Sequence, residues 1–255
     1  MSLGWDNSPD GSGVEADMGA FRPGAGRGKE EPRAATERDE RWRGRHPQPG
    51  LIRLTHWLNV PLLLLMAGSG LQIFAAYPAL GPRGALYGWY PWPGMPPPQW
   101  ARFGGWLAGG RHWHFALGWW LVLNGVVYLS YLVPRGEWRR RLFLPRRDLR
   151  HAVLMLAYYL RLRRVPPPSD FYNGLQRLAY SATILIAVVE VLSGLAMYKP
   201  VQLWWLGCLF GGYDGARAVH LLGLGLLALF TLGHLVVVAL HPRALLTMFT
   251  GGTRA

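Results

Sequence analysis

The chain has 255 residues, 51% of them hydrophobic, a formal net charge of +13 and one cysteine, Cys208. A single thiol excludes an intrachain disulfide framework and four-thiolate ligation of an iron–sulfur cluster, and the absence of CxxCH excludes c-type haem attachment. The basic excess lies beside long uncharged stretches, which fits a polytopic membrane protein and argues against a nucleic-acid partner.

Residues 1–46 are rich in Gly, Pro, Arg and Glu and poor in apolar side chains. They are expected to form a disordered arm, without the apolar core of a signal peptide. Four apolar spans follow at about 54–77, 112–133, 178–198 and 218–240, each near the roughly 20 residues a bilayer crossing requires. The first, second and fourth hold no Asp, Glu, Lys or Arg, and the third holds one acid, Glu190. The expected unit is therefore an all-α membrane protein, a four-transmembrane-helix bundle over 47–250, with 251–255 as a tail.

The connections differ in charge. Arg38, Arg41, Arg43 and Arg45 precede the first span, and ten arginines from Arg135 to Arg164 separate the second from the third. The other two connections carry few basic residues (Arg83, Arg102, Arg111; Lys199, Arg217). This asymmetry predicts a bacterial inner-membrane protein with both termini and the middle segment in the cytoplasm. Residues 148–164 read as a cytoplasmic amphipathic helix, lying on lipid or packed against the bundle. The stretch 78–106, with PWPGMPPPQW, reads as an interfacial aromatic belt or a rigid docking surface.

Four histidines, His56, His114, His220 and His234, lie in or at the ends of the apolar spans, where an ionisable side chain is costly and usually functional. The fourteen residues from His220 to His234 come within about 40° of whole helical turns and rise roughly 21 Å, so one helix offers two imidazoles on one side, one near each membrane face. Matching depths along alternating spans pairs His56 with His234 inside and His114 with His220 outside. Two stacked bis-histidine sites suit two b-type haems passing electrons across a bilayer. Arg53, Arg111 and Arg217 each precede a candidate ligand by three residues (RLTH, RHWH, RAVH), on the same helix face, where a guanidinium can pair with a haem propionate. That spacing favours His114 over His112 as the outer ligand. His46, His151 and His241 read as surface residues. Gly70, Gly118, Gly125, Gly194, Gly223 and Gly225 allow close approach of helices or of a flat macrocycle, with ordinary packing preferred for most.

RLTHW, HFALGWWLVLNG, FYNGLQR and RAVH with His234 together make the chain resemble the prokaryotic di-haem cytochrome b family over about residues 50–250. That family includes the membrane subunits of formate dehydrogenase N, nickel–iron hydrogenases and thiosulfate reductase. YKPVQLWWLGCLFGGYDGARAVH looks closest to members that accompany periplasmic molybdopterin oxidoreductases. The resemblance implies an electron-transfer subunit between a periplasmic redox partner and the quinone pool. It implies Asn173 as a quinone contact, with Gln176 second and Tyr172 beside them; a structural reading makes the segment a turn capped by Asn173 or Asp170. It also implies an apolar residue where this chain has Glu190. A carboxyl hydrogen-bonded to a neighbouring helix is the preferred reading there, and tuning of haem potential or proton relay the functional one. Competing functions are a self-sufficient di-haem quinone oxidoreductase acting on a small oxidant such as superoxide, and a haem-free anchor for a peripheral complex.

Overall fold

The computed structural model describes residues 48–82, 85–168, 172–240 and 242–251. The expected N-terminal arm, Arg83, Asp170, His46, His241 and most of the expected tail lie outside the described residues. Among the described residues the regular structure is helical, with no strand. Four long helices, α1 (Gly50–Phe74), α2 (Leu107–Leu132), α5 (Gly174–Tyr198) and α7 (Gly212–Leu240), are long and apolar enough to cross a membrane. Between them lie the short α3 (Trp138–Arg141), the amphipathic α4 (Pro145–Tyr159) and the six-residue α6 (Trp204–Leu209). The chain continues into α8 (Pro242–Thr250). The protein is a multi-pass membrane protein.

The long helices are apolar all round, not striped, as a lipid environment requires. Only 6 to 17% of the residues in their apolar stretches are buried within the protein. Leu64, Trp120, Leu185 and Leu229 point outward, where lipid tails cover them at no cost. Small residues mark the inner contacts: Gly68, Ser69, Ser193 and Ala196 are buried. The bundle is built as two hairpins, α1 with α2 and α5 with α7, and the hairpins approach one another less closely than the helices within each.

Each long helix begins four to six residues before the corresponding apolar span (Gly50, Leu107, Gly174, Gly212). Hydropathy locates the membrane core, whereas a helix can start in the turn before it, where local hydrogen bonding supports it. Asn173 illustrates this: its Oδ1 accepts from the Gln176 backbone N–H (2.8 Å), and Gln176 Oε1 accepts from the Asn173 N–H (3.1 Å). This reciprocal capping box satisfies two donors that the helix would leave open. The amphipathic helix α4 is displaced from the expected 148–164. It starts with a proline in its first turn and stops at Tyr159, because Arg161 turns into the left-handed region (φ 60°). Sequence reading also missed α3, α6 and α8, which are too short or too polar to register as spans.

Two buried polar clusters lie at the end where α1 and α5 begin, and the first of them joins the hairpins. Arg141 donates to Gln48 Oε1 and Tyr172 Oη (both 3.1 Å) and to Glu137 (3.2 Å), tying the segment before α1 to the turn before α5. Asp148, 2% exposed, accepts from the Leu144 N–H (2.9 Å), Arg147 (2.7 Å) and Arg177 (2.8 Å), tying α4 to α5. Burial pushes the Asp148 carboxyl up, but the bonds from Arg147, Leu144 and Arg177 and the Arg177 charge outweigh it and hold it at about 2. At the opposite end the loop from Pro78 folds back on itself. Gly94 N–H donates to Pro78 (2.8 Å), Tyr87 N–H to Leu80 (2.8 Å) and Phe103 N–H to Gly68 of α1 (3.0 Å). Gly81 takes φ 128°, and a Cβ there would overlap the Ala85 carbonyl. Trp92, Trp100 and Trp106 are exposed on this loop.

Candidate functional site

All four intramembrane histidines face the seam between the hairpins, and the structure brings them together two by two. The His114 and His220 ring centroids are 6.1 Å apart, and those of His56 and His234 are 6.2 Å apart. The helix α7 contributes one imidazole to each pair. His112, two residues from His114, is exposed and packs edge-on to Trp113 (6.0 Å). The structure therefore puts His114, not His112, opposite His220.

The surroundings of the first pair define which nitrogen each ring presents. His114 Nδ1 lies 3.1 Å from both Ser69 Oγ and the Met66 carbonyl. A carbonyl only accepts, so Nδ1 carries the proton and Nε2 is left with a lone pair. Ser69 commits its own hydrogen to the Met66 carbonyl (3.0 Å), so its oxygen accepts as well. On the other helix pair, His220 Nδ1 is 3.0 Å from Ser193 Oγ, whose hydrogen goes to the Val189 carbonyl (2.7 Å). His220 is thereby fixed in the same tautomer. Glycines complete the cradle: a Cβ on Gly70 would sit 3.2 Å from His114 Cε1, and one on Gly194 would sit 3.3 Å from His220 Cε1. The second pair is dressed differently. His56 Nδ1 is buried with no hydrogen-bond partner, and His234 stacks on Phe230 (5.8 Å). One turn from His56, buried Asn124 bridges α2 to α1 by donating to the Thr55 carbonyl (2.9 Å) and Asn59 Oδ1 (2.8 Å).

These residues fit a metal held between two imidazoles inside a macrocycle. A metal–nitrogen bond of about 2 Å on each side, plus about 1 Å from each nitrogen to its ring centre, puts two axial rings roughly 6 Å apart, close to both observed separations. Among the described residues no group of three or more His, Cys, Asp or Glu could cage a bare ion. Two imidazoles would give an iron only two of its ligands, and a porphyrin would supply the rest. The looser approach between hairpins leaves the seam in which a flat group would lie.

The arginines three residues before the ligand candidates are engaged in helix-end contacts. Arg53 donates to the Met248 carbonyl (3.1 Å) and the Phe249 carbonyl at the end of α8, beside Trp57, which donates to Met248 (3.2 Å) and stacks on Phe249 (4.4 Å). Arg217 donates to the Ala79 carbonyl (2.7 Å) and the Tyr77 carbonyl. Arg111 lies over the Phe115 ring at 5.9 Å. Asn173 and Gln176 form the α5 cap, at the same end as His56, since neighbouring Tyr172 accepts from Gln48 Nε2 (3.2 Å), eight residues before that histidine. Glu190 does reach a neighbouring helix, and its contact there is a ligand candidate: Oε2 is 3.1 Å from His220 Nδ1. Cys208 is exposed.

Sequence reading missed Ser69 and Ser193. The signal was present as a repeated Ser-Gly-Leu at 69–71 and 193–195, one per hairpin. Serine is common in membrane helices, however, and nothing in the sequence places either hydroxyl against an imidazole.

The chain is 37% identical over 204 residues to the putative protein-methionine-sulfoxide reductase subunit YedZ1 of Azospira oryzae, covering 80% of this chain and 95% of that protein. No solved structure matches. Residues 48–251, which contain all four paired histidines, match the family described as prokaryotic cytochrome b561, and the chain belongs to that family.

Proposed function

We propose that the chain is a transmembrane electron-transfer subunit carrying two b-type haems between the membrane quinone pool and a redox partner on the outer, periplasmic face. One observation carries this reading: two imidazole pairs with ring centroids about 6 Å apart, at opposite ends of the one helix that serves both. His56 and His234 would hold one haem and His114 and His220 the other. Haem bound between two imidazoles supplies one-electron exchange at iron with no open coordination position. Ser69 and Ser193 hold the Nδ1 protons of the outer pair, which leaves both Nε2 lone pairs free to bind an iron when haem is present. Arg53, Arg111 and Arg217 each keep guanidinium N–H donors beyond those used in their present contacts, and these would meet propionates.

The charge distribution supports an inward-facing His56–His234 end, because α3 and α4 carry the arginine-rich segment there. Quinone would exchange electrons at that end. The Asn173 and Gln176 oxygens are committed to the α5 cap, but the cap does not use their amide NH2 groups, which are the donors a quinone carbonyl needs. The relative's name supports a partner that reduces protein-bound methionine sulfoxide. That reaction takes two electrons and two protons per sulfoxide and releases methionine and water. Electrons would then run from quinol to the inner pair, to the outer pair and to the partner.

The test is pyridine-haemochrome quantification and a dithionite-reduced minus oxidised spectrum of the purified protein. The expected result is two b-type haems per chain. A protein that holds no haem when expressed in haem-replete cells refutes the reading.

A further inference from the structure

The two imidazoles of the outer pair are each held by a Ser-Gly-Leu segment, and the two segments differ in the side chain three residues before the serine. Residues 66–71 of α1 read MAGSGL and residues 190–195 of α5 read EVLSGL. In each, the serine is wholly buried and contacts Nδ1 of its histidine, at 3.1 and 3.0 Å. In each, the following glycine lies against Cε1, where a Cβ would approach to 3.2 or 3.3 Å. Three residues before the serine the two diverge. Met66 turns its thioether toward α2, 3.7 Å (Cε) from where a Cβ on Gly118 would sit. Glu190 instead turns to α7. Its Oε2 is 3.1 Å from His220 Nδ1, and its Oε1 is buried without a partner. A Cβ on Gly223 would overlap Oε1, so Gly223 makes the space in which the carboxyl lies.

From this geometry we infer that Glu190 is a positioning residue that sets the reduction potential of the outer haem through His220. The inference rests on the di-haem reading above. Ser193 already accepts from Nδ1–H, and Glu190 Oε2, 3.1 Å from the same nitrogen, is placed to share that proton as a second acceptor. Both draw the proton away from the ring and push electron density to Nε2, which makes His220 a better donor to iron. A better donor stabilises the oxidised metal more than the reduced one. Of the two outer ligands only His220 has an acidic acceptor; its counterpart His114 has Met66 at the matching position. Glu190 therefore holds the outer haem at a lower potential than the serine–glycine cradle alone gives.

The experiment is a potentiometric titration of purified wild type, Glu190→Gln, Glu190→Met and Gly223→Ala, each with its haem content measured. Glu190→Met copies the α1 arrangement into α5, and Gly223→Ala keeps the acid but displaces it. The expected result is two haems per chain, with one of them about tenfold easier to reduce, which is about 59 mV for a one-electron couple, and the other unmoved. Two haems with both potentials at their wild-type values overturn the inference and leave the di-haem reading intact. A wild type with fewer than two haems overturns both. If the Glu190 variants do not retain haem, Gly223→Ala decides: an upward shift of one potential supports the inference and unchanged potentials overturn it.

Discussion

Removing histidines in pairs tests the site geometry more sharply than removing them singly. The helix α7 carries His220 and His234 fourteen residues apart, roughly 21 Å along its axis. Sites that far apart with no shared partner lose their ligands independently. If the partners are those whose rings lie 6.1 and 6.2 Å apart, every double variant has a definite haem count. His56→Ala/His234→Ala removes both ligands of one site and leaves one haem. His114→Ala/His220→Ala leaves one haem at the other site. His56→Ala/His220→Ala damages both sites and leaves none, although it too removes only two imidazoles. His112→Ala keeps both, because that ring is exposed beside Trp113. Pyridine-haemochrome absorbance per chain reads these outcomes as one-half, one-half, zero and full. One haem remaining in His56→Ala/His220→Ala, or none in His56→Ala/His234→Ala, refutes the pairing.

Ser69→Ala and Ser193→Ala each remove an acceptor from Nδ1 of an outer ligand; haem affinity at that site is expected to fall about 10- to 100-fold, measured by transfer to an apo-haem acceptor protein, with the inner site unchanged. Asp148→Asn removes the anion held by Arg147 and Arg177. Its ordinary value of 3.8 falls to about 2 in the folded protein, a shift worth about 2 kcal/mol. Because the folded value is the lower one, this stability is complete above pH ~4 and is lost as pH falls through about 2. The gap in thermal unfolding between wild type and variant is therefore wide at pH 7 and closes between pH 4 and 2; a gap that does not change with pH contradicts the assignment. Asn173→Asp keeps the acceptor that caps α5 but loses the amide donor, so unfolding temperature is expected to hold while quinol KM rises. Asn173→Ala also loses about 1 kcal/mol of helix capping. Wild-type quinol kinetics in Asn173→Asp reduce Asn173 to a cap.

The sequence alone determined the class of this protein. Four long apolar stretches with a single acid among them, spaced by arginine-rich and arginine-poor connections, point to a membrane, and a bilayer forces their backbone polar groups into helices. It also determined which histidines lie at which depth, since helical rise and alternating direction follow from the span order alone. The shared face of His220 and His234 is a property of a single helix and needs no tertiary information. Membership of the prokaryotic cytochrome b561 family follows from the same residues.

Tertiary structure decided what surrounds each imidazole. Apolar spans carry no periodic stripe from which to read their contacting faces, because lipid and protein interior are equally apolar. Nothing in the chain order therefore announced that Ser69 and Ser193 would meet Nδ1 of His114 and His220, or that Gly223 would make room for Glu190 beside His220. The RxxH spacing shows where the arginines sit on a helix face but not where a flexible stem carries the guanidinium and its five donors. In the folded chain Arg53 and Arg217 bind carbonyls 195 and 138 residues away in sequence. The helix α8 and the buried Asp148–Arg177 pair were hidden for a related reason: both owe their position to contacts with distant segments, and short or polar stretches have no hydropathy signal of their own. Depth in the membrane is a one-dimensional quantity that a sequence records, and orientation around the bundle axis is settled only when the hairpins pack.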